Sequence, residues 1–140
     1  MPEFKNCDLK YTQALASKLG KKYKGRDVAI GLIGNLGSGK TAFVKSFAKA
    51  FHLNHIQSPT FVIMHNYKIK TQNFYHIDLY RLHQNKQLNP LGLDEILNQS
   101  NRVVLIEWVD KFPKIKKKCD LLINFKLTPL FRRDITITQN

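Results

Sequence analysis

Gly34-Asn35-Leu36-Gly37-Ser38-Gly39-Lys40-Thr41 satisfies every fixed position of G-x-x-x-x-G-K-[ST], the pattern of a phosphate-cradling P-loop. On its N-terminal side, Val28-Ala29-Ile30-Gly31-Leu32-Ile33 is an apolar run of buried-strand length. On its C-terminal side, the stretch from Ala42 to Phe51 sets Phe43, Val44, Phe47, Ala48 and Phe51 on one helical face. The loop thus stands between a strand and a helix start, the context that separates a working phosphate loop from a chance Gly-rich turn. Its glycines allow positive φ and close backbone approach. The N–H groups can then form a nest for an anion at a helix N-terminus. The helix dipole adds only about 0.3–2 kcal/mol, so the converging N–H groups and the Lys40 ammonium must supply most of the hold. Lys40 is expected at the β/γ-phosphate oxygens and the Thr41 hydroxyl on Mg²⁺. The pattern implies a site for a nucleoside triphosphate.

A P-loop needs a carboxylate to complete its Mg²⁺ site, usually after an apolar strand beside the P-loop strand. Arg102-Val103-Val104-Leu105-Ile106-Glu107 is such a strand, and Glu107 takes the Walker B position as second metal ligand. Asp78 ends the strand Phe74-Tyr75-His76-Ile77 and can reach the γ-phosphate to orient a water; capping of Leu79-Tyr80-Arg81-Leu82 is its structural alternative. Thr60, after Ser58-Pro59, lies on a loop that could approach the γ-phosphate as a sensor, or else make an ordinary turn. His52 and His55 lack Cys partners or an H-E-x-x-H context, which argues against zinc. Asn85-Lys86-Gln87-Leu88 begins like a guanine-reading element but lacks the aspartate, which argues against a GTPase.

The remaining chain supplies the frame. Asp8 caps a first helix with Tyr11, Ala14, Leu15 and Leu19 on its apolar stripe and Gly20 closing it. Phe61–Tyr67 and Phe74–Asp78 are read as antiparallel strands, because the turn at Lys70-Thr71-Gln72-Asn73 is too short for a helical crossover. A short helix follows around Leu91–Leu97, and Cys119–Leu127 with Arg132–Thr138 forms a terminal hairpin turning at Thr128-Pro129. The expected fold class is α/β, a P-loop NTPase-like three-layer fold whose mixed sheet has a parallel core and antiparallel additions. Ligand should sit at the carboxyl ends of the parallel strands.

At 140 residues the default is a single domain over 1–140. No signal-peptide core or bilayer-length stretch is present, and two isolated cysteines suit a reducing compartment, so a cytoplasmic protein without membrane association is expected. The formal net charge of +13 gathers in Lys18–Arg26 and Lys111–Lys118. Such clusters either mark a nucleic-acid footprint or are solvated, lysine-rich connections; charge alone does not choose between them.

Taken in order, the P-loop, Ser58-Pro59-Thr60-Phe61, His76-Ile77-Asp78-Leu79-Tyr80-Arg81-Leu82, Leu91-Gly92-Leu93 and Ile106-Glu107-Trp108 closely resemble the TsaE (YjeE) family. These are small P-loop ATPases of bacterial tRNA threonylcarbamoyladenosine synthesis. The resemblance runs from the first helix to the last hairpin. It implies slow Mg-ATP hydrolysis stimulated by the TsaD–TsaB pair, with tRNA met only in the assembled complex. It implies that Gly34, Asn35, Leu36, Gly37, Ser38, Gly39, Lys40, Thr41 and Ala42 hold nucleotide. Thr41 and Glu107 would ligate metal, and Lys40, Thr60, Asp78 and Glu107 would serve hydrolysis. Trp108 matches the family's E-W, and Arg133 is the better candidate for an arginine on the adenine side, with Arg132 the alternative. The segment His83–Leu88 departs from the family by lacking acidic residues. The competing readings are a small-molecule P-loop kinase and a nucleotide-stabilised RNA-binding module.

Overall fold

The structure, a computed structural model, describes residues 2–57, 63–70 and 72–140. The strands are β1 (Glu3–Cys7), β2 (Val28–Ile33), β3 (Met64–Lys68), β4 (Asn73–Asp78), β5 (Arg102–Glu107), β6 (Leu121–Thr128) and β7 (Arg132–Gln139). The helices are α1 (Leu9–Tyr23), α2 (Lys40–Lys49), α3 (Leu93–Asn98) and α4 (Pro113–Lys118). All strands join one sheet in the order β1-β7-β6-β2-β5-β4-β3. β2 pairs in parallel with both β5 and β6, and β5 pairs in parallel with β4. β7 and β3 are antiparallel additions on either side, and β1 closes the edge beyond β7. The α/β expectation of a parallel core with antiparallel flanks holds. The terminal hairpin does more than flank, because its first strand is itself part of the parallel core.

Alternation along the central strands divides the interior into two layers. Val28, Ile30 and Leu32 of β2 pack with Val103 and Leu105 of β5 against Phe43, Val44, Phe47 and Phe51 around α2. On the opposite face, Ala29, Val104 and Ile106 meet α3 and α4 through Leu93, Ile96 and Ile115. Both faces of β2 and β5 are covered, which is why they read as continuous apolar runs. His76, Asp78 and Glu107 continue the α2 side of the sheet, since Phe74, Val103 and Leu105 share that face.

Three local expectations need correction. Gly20 does not close α1: the helix continues to Tyr23, and Gly20 is buried in the contact with α2. The buried stripe is Thr12, Ala16 and Gly20, while Tyr11 and Ala14 are exposed. Small side chains at four-residue spacing let the two backbones approach; a Cβ on Gly20 would stand 2.4 Å from the Phe47 carbonyl oxygen. The last turn lies beyond Thr128, at Pro129–Phe131, with Leu130 and Phe131 both left-handed at φ 63° and 57°. β3 begins at Met64; Phe61 and Val62 lie outside the described residues.

β1 was unanticipated, a short and mostly exposed strand whose partner β7 is at the far end of the chain. The Asp8 cap is as read, its side chain accepting from the Tyr11 N–H at 2.7 Å. Among the described residues, no helix is long and apolar enough to cross a membrane.

Candidate active site

Parallel pairing sets the site. Leu32 lies opposite Glu107 and Glu107 opposite Asp78, so three adjacent strands end abreast. The loop Gly34–Gly39 leaves β2 at that level and feeds directly into α2. A cleft of about 430 Å³ opens there. From the loop and helix it takes Leu36, Gly37, Gly39, Lys40, Thr41 and Ala42. Asp78, Glu107, Trp108 and Arg133 complete the portion expected from sequence. Gly34, Asn35 and Ser38 do not line the cleft, Asn35 being exposed and Ser38 buried, and Thr60 falls outside the described residues.

Each side chain is held for a stated reason. Gly39 caps α2 with φ 105°, a backbone state an L side chain resists, and supplies no capping group. The first N–H groups of α2 are therefore not consumed by a side-chain cap. Lys40 is buried, and its ammonium donates to the Gly34 carbonyl. Its Nζ also lies 3.7 Å from the Trp108 ring centroid, a cation–π contact. Burial pulls the Lys40 pKa down, while Glu107, Asp78 and Asp110 act to raise it. Trp108 is left-handed at φ 62°, and its N–H donates to the Leu32 carbonyl at 3.1 Å. That turn swings the indole from the end of β5 to the lysine, with Tyr80 packed 5.0 Å away.

The two carboxylates differ. Glu107 is 3% exposed and bonded to His76, with Oε2 and Nε2 2.6 Å apart. His76 is wholly buried and its Nδ1 has no partner. Its one side-chain hydrogen bond among the described residues is therefore the one that Nε2 makes with Glu107. Asp78 is half-buried; burial pushes its pKa up, the Tyr80 N–H opposes that shift, and the Glu107 charge adds to it. Its Oδ1 accepts from Tyr80 N at 3.0 Å, so the capping role and the cleft position coexist.

Arg133 and Arg132 part company. Arg133 is buried and lines the cleft; its guanidinium donates to the Phe131 carbonyl at 3.1 Å and rests against Gly39. Arg132 turns to the Asn6 carbonyl at 3.3 Å. Two observations besides the motif fit an anionic ligand such as a phosphate group in this cleft. The Ser38 hydroxyl and Arg133 Nε are buried polar atoms without a protein partner, and the α2 N-terminus is uncapped.

Sequence reasoning missed His76 as the partner of Glu107, and Leu9, Ile63, Tyr80 and Arg81 as cleft walls. Period-two alternation puts His76 on the face of Asp78, two positions on, but its place beside Glu107 depends on β4 pairing with β5.

The family model for "Threonylcarbamoyl adenosine biosynthesis protein TsaE" matches residues 7–135. The chain belongs to the TsaE family. A Haemophilus influenzae protein named tRNA threonylcarbamoyladenosine biosynthesis protein TsaE is 31% identical over 83% of this chain and 73% of its own length. A Rickettsia felis protein of the same name is 39% identical over 69% of this chain and 56% of its own length. The same-named Bacillus subtilis protein is 35% identical over 91% and 78%. The crystal structure of B. subtilis YdiB superposes with a TM-score of 0.75 at 28% identity, covering 99% of this chain and 84% of that one. The TsaE match spans both motif strands, the P-loop and Arg133.

Proposed function

We propose that this TsaE-family chain is the ATP-binding and ATP-hydrolysing component of tRNA N6-threonylcarbamoyladenosine synthesis, acting in the cytoplasm on a TsaD–TsaB pair. Its family and the names of its relatives support the pathway. The observation that carries the ATPase reading is the alignment of the P-loop, Glu107 and Asp78 at the ends of three neighbouring parallel strands. Around that one cleft, the loop and Lys40 would bind phosphate, Glu107 would ligate the metal, and Asp78 would orient the water.

Lys40 would exchange the Gly34 carbonyl for phosphate oxygens, and the loop N–H groups would receive the rest of the phosphate charge. Thr41 and Glu107 would hold Mg²⁺, and a bound Mg²⁺ supplies neutralisation of charge developing on the phosphoryl oxygens. His76 fixes the Glu107 carboxylate, so that only its second oxygen needs to serve the metal. Asp78, whose Oδ1 accepts from Tyr80 N–H, would accept a hydrogen bond from the attacking water at its other carboxylate oxygen and so orient it. Arg133 and the N-terminal end of α1 form the base-side wall. Thr60 would belong to the loop that senses the γ-phosphate.

Steady-state phosphate release tests the proposal, with the pure protein alone, with a matching TsaD–TsaB pair, and with Lys40→Ala. Slow turnover that rises with the pair and disappears in the variant is expected. Unchanged ATP affinity in Lys40→Ala would sink the site assignment, whereas ATP binding without stimulation by the pair would remove the partner assignment alone.

A further inference from the structure

The two lysine-rich runs become different objects once folded. In the 111–118 run, Lys118 is paired with Asp94, Lys111 donates to the Tyr80 carbonyl, and Lys114 and Lys117 share a depression with Asp94 and Glu95. That surface carries its own counter-charge.

The 18–26 run leads instead to a groove of about 900 Å³. Lys24, Lys68 and Lys70 project from its rim, with His52 beside them, and none of its described lining residues is acidic. Asp8 and Asp27 are the sole carboxylates between Phe4 and Ile77. Both are engaged elsewhere, Asp8 in capping α1 and Asp27 in accepting from Arg102 N–H at 3.0 Å.

The groove is also built. Gln72 is 6% exposed. Its side chain accepts from Gly25 N–H and donates to the Arg26 carbonyl, both at 3.0 Å. One buried amide thus ties the loop bearing Lys24 to the turn bearing Lys70, fixing the spacing of cations from two distant parts of the chain.

We propose that this groove is an RNA-backbone site, separate from the nucleotide cleft. It lies at the N-terminal edge of the parallel strands, where α1 and α2 end and the β3–β4 turn sits, while the P-loop lies at the carboxyl edge. Six-residue β2 separates the two by about 20 Å. A phosphodiester chain matches cations of fixed spacing on a concave surface, since its affinity comes from phosphates displacing counterions. An acidic bilayer fits less well, because the exposed Leu36, Leu130 and Phe131 that could enter lipid are at the opposite edge. The inference rests on charge and groove geometry, independently of ATP hydrolysis.

The test measures binding of a fluorescein-labelled tRNA transcript to the full chain by anisotropy, across KCl concentrations. Two triple variants are compared: Lys24→Glu/Lys68→Glu/Lys70→Glu in the groove, and Lys114→Glu/Lys117→Glu/Lys126→Glu outside it. They change net charge equally, and ATP affinity and Tm verify the fold of each. The groove variant should lose at least about tenfold in affinity at ~0.1 M salt, with its log–log salt slope reduced by roughly two. The outer variant should lose far less. Equal losses in both variants, no binding by the parent, or tighter capture by phosphatidylglycerol vesicles than by tRNA would each overturn the proposal.

Discussion

Half-buried Asp78 and the buried His76–Glu107 pair both bear on folding stability at the cleft, and the sign of each contribution can be checked. Asp78 has its folded pKa raised above 3.8 by burial. The native state therefore holds this proton longer than the unfolded chain, so stability is lost as pH rises from about 3.8 through the folded pKa. Asp78→Asn keeps an acceptor for Tyr80 N–H without the charge. It should raise Tm at pH 7, and the gap over the parent should shrink towards pH 4; a pH-independent gap would contradict the burial argument. Hydrolysis should fall in the same variant, a stability gain at the expense of activity. His76 gives the opposite case. His76→Ala leaves the buried Glu107 carboxylate without its donor and should cost about 1–3 kcal/mol in urea unfolding. His76→Gln, which retains a donor, should recover part of that and more of the Mg²⁺ affinity. A His76→Ala variant as stable as the parent would show the 2.6 Å contact to be energetically empty.

At the scale of elements, the contact of α1 with α2 is decided by one glycine. Gly20→Ala would raise helix propensity by about 1 kcal/mol, yet its Cβ would meet the Phe47 carbonyl oxygen at 2.4 Å and the Ala50 Cβ at 2.9 Å. Overpacking should win, giving a net loss of about 1–2 kcal/mol by urea or thermal unfolding; a stabilised variant would mean that the helices separate freely. The same glycine shows what was legible in sequence. A stop glycine and a packing glycine look alike locally, and the difference lay in Thr12 and Ala16, spaced to place small residues along one stripe. The P-loop, β2, α2 and β5 were legible because both faces of the sheet are covered, leaving unbroken apolar runs. β1 was not, since five residues with one buried side chain carry no period and owe their place to β7. The link from His76 to Glu107 needed the strand order, which no local pattern encodes. Arg133 lay within reach of alternation in β7, because Ile135 and Ile137 continue its buried face.

Across the whole molecule, the two thiols report on different openings of one sheet. Cys119 is buried between β2 and α4; its thiol donates to the Ile115 carbonyl at 3.5 Å, and burial pushes its pKa up to about 12. Virtually no thiolate exists there at pH 8, and reagent reaches it only when the sheet's centre comes apart. Cys7 is also buried, with its pKa raised by burial, but it ends the five-residue edge strand β1. Edge strands open at lower free energy than the global transition. Labelling with a thiol reagent should therefore be biphasic, Cys7 first with little urea dependence, then Cys119 with the urea dependence of global unfolding. Ligand linkage then separates the two further. If Mg-ATP binds the native cleft, Cys119 labelling under rapid opening and closing should slow by a factor of 1 + [ATP]/Kd. Cys7 should be slowed less, because opening β1 alone leaves β2, β5 and the P-loop paired. Equal slowing of both thiols would mean that β1 does not open separately. Slowing of neither, at saturating Mg-ATP, would mean that nucleotide does not stabilise this sheet.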